Sequence, residues 1–180
     1  MAPSPDGSAL LEMEFSPDWS FINDVRTFVE TFCERAGADP DRAAAVALSV
    51  HELLQNAVDY STDGWAHLAL RVDKAQGRIT LEVKSHGTPE KVEGLLKLNQ
   101  RLSHEPDALQ LYLSLMRETA KKKGSSGLGL GRIRFEGGMD IKIEVTDGTV
   151  HVTATSSLEA PRSLVELLRA PRSTKEPSHG

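Results

Sequence analysis

The sequence predicts an α+β domain: a two-layer α/β sandwich with helices on one face of a mixed, mostly antiparallel sheet. Three observations carry this. Two long helical patterns follow one another early, with no strand between them. The clearest strands come as two hairpins, and no regular strand–helix–strand crossover appears. A length of 180 residues supplies one full-sized core and hardly two. With 39% apolar and 26% charged residues, the composition is that of an ordinary soluble protein.

Taken in order, residues Met1 to Ser8 read as a disordered leader rich in Pro, Ser and Gly. The domain is expected over residues 9–158. Leu10 to Phe15 alternates as a short edge strand. Ser16-Pro17 is expected to start the first helix, which runs through Trp19, Ile22, Val25, Val29 and Phe32 and stops at Gly37. Trp19 and Phe21 are expected in the core, with a partner-facing edge of the first helix as the alternative. Asp39-Pro40 starts the second helix with the same signal. Trp65 to Val72 and Arg78 to Lys84 form a hairpin across Lys74 to Gly77. Ser85 to Pro89 reads as a loop. A helical region over Glu90 to Lys123 follows, broken near Glu105-Pro106. Met139 to Val145 and Thr149 to Thr155 form a second hairpin across Asp147-Gly148. Residues 159–180 read as a short helix (Arg162 to Arg169) and a disordered tail.

A net charge of −5 argues against a general nucleic-acid or anionic-membrane surface. No apolar run of about 18 residues spans a membrane, and the N-terminus carries no signal-peptide pattern. Cys33 is the only cysteine, which excludes an internal disulfide and a cysteine-rich metal site. A reducing cytoplasm fits these features best.

Two stretches carry chemistry. On the second helix Val46, Val50, Leu53 and Ala57 make an apolar stripe, while Ser49, Glu52, Asn56 and Asp59 share another edge. Glu52 and Asn56, one turn apart, offer the hard oxygens that Mg²⁺ prefers, and Glu52 could act as a base. The same edge fits the solvated face of an amphipathic helix. Further on, Gly124, Gly127, Gly129 and Gly131 let backbone amides approach an anion. The segment lacks the Gly-Lys-Ser/Thr ending of a P-loop, and it follows a helix, unlike a dinucleotide fingerprint. A flexible hinge fits it equally. Lys121 to Lys123 just before it suit either a solvated helix end or a phosphate. His86 reads as a loop residue rather than a metal ligand.

The order of these parts resembles the GHKL ATPase fold of histidine-kinase catalytic domains, type II topoisomerases and anti-sigma-factor serine kinases. Those parts are Glu-x-x-x-Asn on a helix, a hairpin ending in His86-Gly87, a helical insert, Gly-x-Gly-x-Gly and a last hairpin. The resemblance spans Leu10 to Ser157. Gly87 to Gly131 is similar to the SiaB family of serine/threonine kinases, through the insert at Leu95 to Asn99 and the Ser-Ser-Gly-Leu-Gly-Leu-Gly end. It implies Glu52 as catalytic base, with Glu52 and Asn56 on Mg²⁺. It also implies an ATP site drawn from Asn56, Asp59, Ser85, Gly87, Lys123, Gly127, Gly129 and Gly131, under a mobile lid over residues 88–123. A STAS-domain antagonist or a sigma factor is the implied partner, and a homodimer through the first strand and helix the implied assembly.

One departure matters. Where the family pattern reads Asp-x-Gly-x-Gly, this chain reads Ser85-His86-Gly87-Thr88-Pro89. Serine replaces the carboxylate that meets the adenine amino group, and losing such a charge-assisted bond costs about 1.5–3 kcal/mol. An active kinase and a degenerate pseudokinase that binds a partner without nucleotide therefore both remain open. A histidine-kinase reading of His51-Glu52 is disfavoured, because His51 lies off the polar edge.

Overall fold

The computed structural model describes residues 7–16, 18–121 and 127–159. Lys123, the leader before Gly7 and the expected helix over Arg162 to Arg169 lie outside the described residues. The elements are β1 (Ser8–Phe15), α1 (Trp19–Arg35), α2 (Pro40–Tyr60), β2 (Ser61–Asp73), β3 (Arg78–Gly87), α3 (Pro89–His104), α4 (Ala108–Lys121), α5 (Leu128–Phe135), β4 (Asp140–Thr146) and β5 (Thr149–Ser157). The strands make one sheet in the order β1-β2-β3-β5-β4, antiparallel at every pairing.

Alternation along each strand puts its apolar residues on one face. Leu11, Leu70, Leu81, Ala154 and Ile141 lie side by side across all the strands, and Met13, Leu68, Val83, Val152 and Ile143 form the next row. These rows join one apolar core with the buried faces of α1, α2 and α5. The other face carries Glu14, His67, Lys84, His151 and Glu144 in register and stays polar. Asp147-Gly148 turns β4 into β5 with both residues at positive φ, as a tight hairpin needs.

Three expectations are corrected. Helix α1 starts at Trp19, because the Asp18 carboxylate accepts from the amides of Ser20 (2.8 Å) and Phe21 (3.1 Å) and caps it in place of Ser16. Its buried stripe is Ile22, Val25, Val29 and Cys33, which leaves Trp19 54% and Phe21 36% exposed rather than in the core. Strand β3 continues through Ser85, His86 and Gly87, so that segment is not a loop. Thr88 caps α3, and Pro89 takes its first turn, where the missing amide proton costs nothing.

The α5–β4 junction is packed to backbone contact. Arg42 of α2, 3% exposed, donates to the carbonyls of Gly137 (2.8 Å) and Glu159 (2.7 Å). A Cβ on Gly137 would collide with the Ile133 carbonyl and lie 2.5 Å from Ser49 Oγ. Gly137→Ala is therefore expected to destabilise the fold by about 1–3 kcal/mol in urea unfolding. Adding Ser49→Ala should not recover the loss, because the backbone carbonyl cannot yield. Recovery would contradict this packing account.

Candidate functional site

Along the polar edge of α2 burial falls steadily toward the C-terminus. Ser49 is fully buried and donates to the Ala45 carbonyl at 2.9 Å; Glu52 is 7% exposed; Asn56 is half-buried; Asp59 is exposed. The edge is a buried seam at one end and a solvated face at the other. The cause is α5, which packs against α2 beside Ser49 and Glu52.

The Glu52 carboxylate ends up between two groups of α5. Its Oε1 accepts from Nη1 of Arg132, and its Oε2 stands 2.6 Å from where a Cβ on Gly129 would be. Gly129 and Arg132 are three residues apart, one helical turn, so both meet the same carboxylate. Arg132 also donates from Nε and Nη2 to Glu136 at 3.2–3.4 Å. Glu136 first, and then Glu52, hold the Arg132 guanidinium above its ordinary pKa. Sequence reasoning passed over Arg132; the signal was a cation one turn after Gly129 on the face turned to α2.

Gly127 and Gly131 pack against the helices before them. Gly127 caps α5 in the left-handed region (φ +71°), and Leu98 of α3 lies where its Cβ would go. A Cβ on Gly131 would stand 2.8 Å from Leu115 of α4. The expected lid is thus docked on the glycine segment, with Leu95, Leu98, Leu102, Leu111 and Leu115 buried. Arg134 of α5 closes the α3 end by donating to the carbonyls of Leu102 and Glu105, both at 2.6 Å. Lys91 ties the other end to α2 through the Asp59 carbonyl.

Ser85 is 6% exposed and continues the inner face of β3 after Ile79, Leu81 and Val83. The Gly87 amide donates to the Gly148 carbonyl at 3.1 Å, and Val92 and Val150 crowd its Cα. Among the described residues no hydrogen bond joins Ser85 or Gly87 to Glu52 or Asn56. His86, on the outer face, pairs with Asp63 at 2.6 Å and stacks on Trp65 at 4.8 Å. The site therefore brings together Glu52, Gly129 and Arg132, with Asn56 one turn away.

What this set could hold follows from its donors. The Asn56 side chain makes no hydrogen bond among the described residues, so its oxygen is available. Glu52 and Asn56 suit a hard cation such as Mg²⁺, which takes one or two protein oxygens and completes its shell with phosphate and water. No group of three or more His, Cys, Asp or Glu able to hold a metal occurs among the described residues. Among the described residues, no helix is long and apolar enough to cross a membrane.

Comparison with known proteins bears on the family and the fold. The family profile described as "Histidine kinase-like ATPase domain" matches residues 15–135. No curated protein matches the sequence. One similar fold is the crystal structure of the SiaB–SiaC complex from Pseudomonas aeruginosa, with a TM-score of 0.61 and 17% identity over 81% of this chain and 88% of that one. Another is the structure of the RsbU and RsbW domains of Rv1364c from Mycobacterium tuberculosis, with a TM-score of 0.50 and 15% identity. It covers 83% of this chain, which spans 32% of that longer one.

His51, beside Glu52 in sequence, gives the site a pH signature. Its Nδ1 is buried without a partner among the described residues. Burial, then the charges of Arg26 and Arg132, hold its pKa below the ordinary 6.5 against the upward pull of Glu52. A depressed histidine pKa means the unfolded chain takes up a proton that the folded one resists. Its contribution to stability is present above pH 6.5 and is lost as pH falls from there through the lowered folded-state value. Urea unfolding across about pH 7.5 to 5.5 should show His51→Gln losing less stability than wild type. Equal losses would contradict this.

Proposed function

The chain belongs to the histidine kinase-like ATPase domain family, and from that premise we propose that it is a partner-switching regulator that binds ATP with Mg²⁺ and phosphorylates a partner protein. The observation that carries the reading is the seating of the Glu52 carboxylate against Gly129, with the Asn56 amide, unbonded among the described residues, one turn away. Glu52 takes the proton from a serine or threonine hydroxyl of the partner as that oxygen accepts the terminal phosphoryl group and ADP leaves. Asn56 and Glu52 would hold Mg²⁺, which would neutralise charge on the phosphates. The partner is a STAS-type antagonist or a sigma factor. A two-protein assembly in a structural relative, titled a SiaB–SiaC complex, supports the search for a protein partner. A homodimer through β1 and α1 is consistent with the exposed Leu10, Trp19, Phe21 and Phe28 on those elements.

A second reading is favoured by specific contacts: Arg132 occupies Glu52, Leu98 covers Gly127, and Ser85 lacks the adenine-binding charge. In that reading the domain is a pseudokinase and works by protein contact alone. Calorimetric titration with a non-hydrolysable ATP analogue, with and without Mg²⁺, separates the two. The kinase reading expects saturable, Mg²⁺-dependent binding that a Glu52→Ala/Asn56→Ala variant loses. Absence of binding at millimolar nucleotide would leave the contact-only reading standing.

A further inference from the structure

The Arg132–Glu52 pair is out of place for a base at work. Glu52 is 7% exposed and its Oε1 is taken by the Arg132 guanidinium, so little of the carboxylate is open to a hydroxyl. The guanidinium itself is not sealed in, being 35% exposed. It meets Glu52 through Nη1 alone, and a guanidinium N–H suits phosphate oxygens as well as carboxylates. It also stands within one carboxylate's width of the first turn of α5, since Gly129 touches the other oxygen of Glu52. Its hold on Glu136 keeps it near that place whichever partner it takes on its other side.

We infer that Arg132 is a gating residue: it restrains Glu52 while the site is empty and exchanges that carboxylate for the terminal phosphate of a bound nucleoside triphosphate. This deepens the kinase reading and rests on it. The exchange frees Glu52 only when a third phosphate is present, so a diphosphate leaves the base tied. Arg132 acts here through Glu52, as a positioning residue. Its neighbour Arg134 binds the carbonyl end of α3 from the same helix, so a shift of α5 that releases Glu52 also moves the lid.

The test compares affinities for a non-hydrolysable ATP analogue and for ADP, both with Mg²⁺, in wild type, Glu52→Gln and Glu52→Gln/Arg132→Leu. The variants leave no buried charge unpaired, so both should fold. Because Glu52→Gln also removes a Mg²⁺ oxygen common to both nucleotides, the reading is the ratio of triphosphate to ADP affinity, which should rise about tenfold in Glu52→Gln and lose that gain when Arg132 is removed in the double variant. Affinity for ADP should change alike in the two variants, since both lack the Glu52 carboxylate, and Glu52→Gln/Arg132→Lys should recover part of the gain in the ratio. Equal triphosphate affinity in the single and double variants, with ADP still bound, would overturn the gating role and leave the kinase reading intact. Failure of wild type and both variants to bind either nucleotide would overturn both.

Discussion

One buried carboxylate organises the contact between α2 and α5. Glu52 lies on a helix that must face the core, and a carboxylate taken out of water without a partner costs several kcal/mol. The partner is Arg132, so α5 has to lie where its fifth residue reaches α2. Bringing the helices that close leaves no room for a side chain at residue 129 beside the carboxylate. Arg42 fixes the far end of the same contact through the Gly137 carbonyl. The position of the glycine segment thus follows from the demand of one ionised group, and the lid follows from α5 through Arg134.

The docked lid sets a second constraint. Five leucines of α3 and α4 are buried, and each buried leucine stabilises the docked state by about 1.5–3 kcal/mol. Lifting both helices clear would cost roughly 8–15 kcal/mol, as much as or more than the ~8 kcal/mol that micromolar nucleotide binding supplies. Wholesale opening therefore loses. A ligand can be admitted by a local shift of Leu98 off Gly127, with Leu111 and Leu115 left in place. Arg101, which donates to both carboxylate oxygens of Glu118 at 2.8–2.9 Å, keeps α3 and α4 together during such a shift.

Much of the fold was legible in the sequence. The Asp39-Pro40 start, the Asp147-Gly148 turn and the alternation of β2 and β3 are local signals, and local signals suffice for elements and hairpins. Val46, Val50, Leu53 and Ala57 are all buried, as their spacing on α2 implied. The misreadings share one cause. Trp19 sits at the right helical angle, but only neighbours in space decide whether a residue at a helix end is covered. Ser85 to Gly87 looked like a loop because Gly and Pro cluster there, whereas pairing with Val150 and Thr149 extends the strand. At the site the sequence supplied Glu52, Asn56 and the glycines, but not Arg132, because a long-range ion pair leaves no periodic trace.

The central claim is that Glu52, Asn56 and the start of α5 form one phosphate site gated by Arg132. A crystal structure with a non-hydrolysable ATP analogue and Mg²⁺ tests it most directly. The account predicts phosphates at the first turn of α5, Mg²⁺ on Asn56, and the Arg132 guanidinium on the terminal phosphate with Glu52 released. Nucleotide bound elsewhere, or bound at this site with Arg132 still on Glu52, would contradict it.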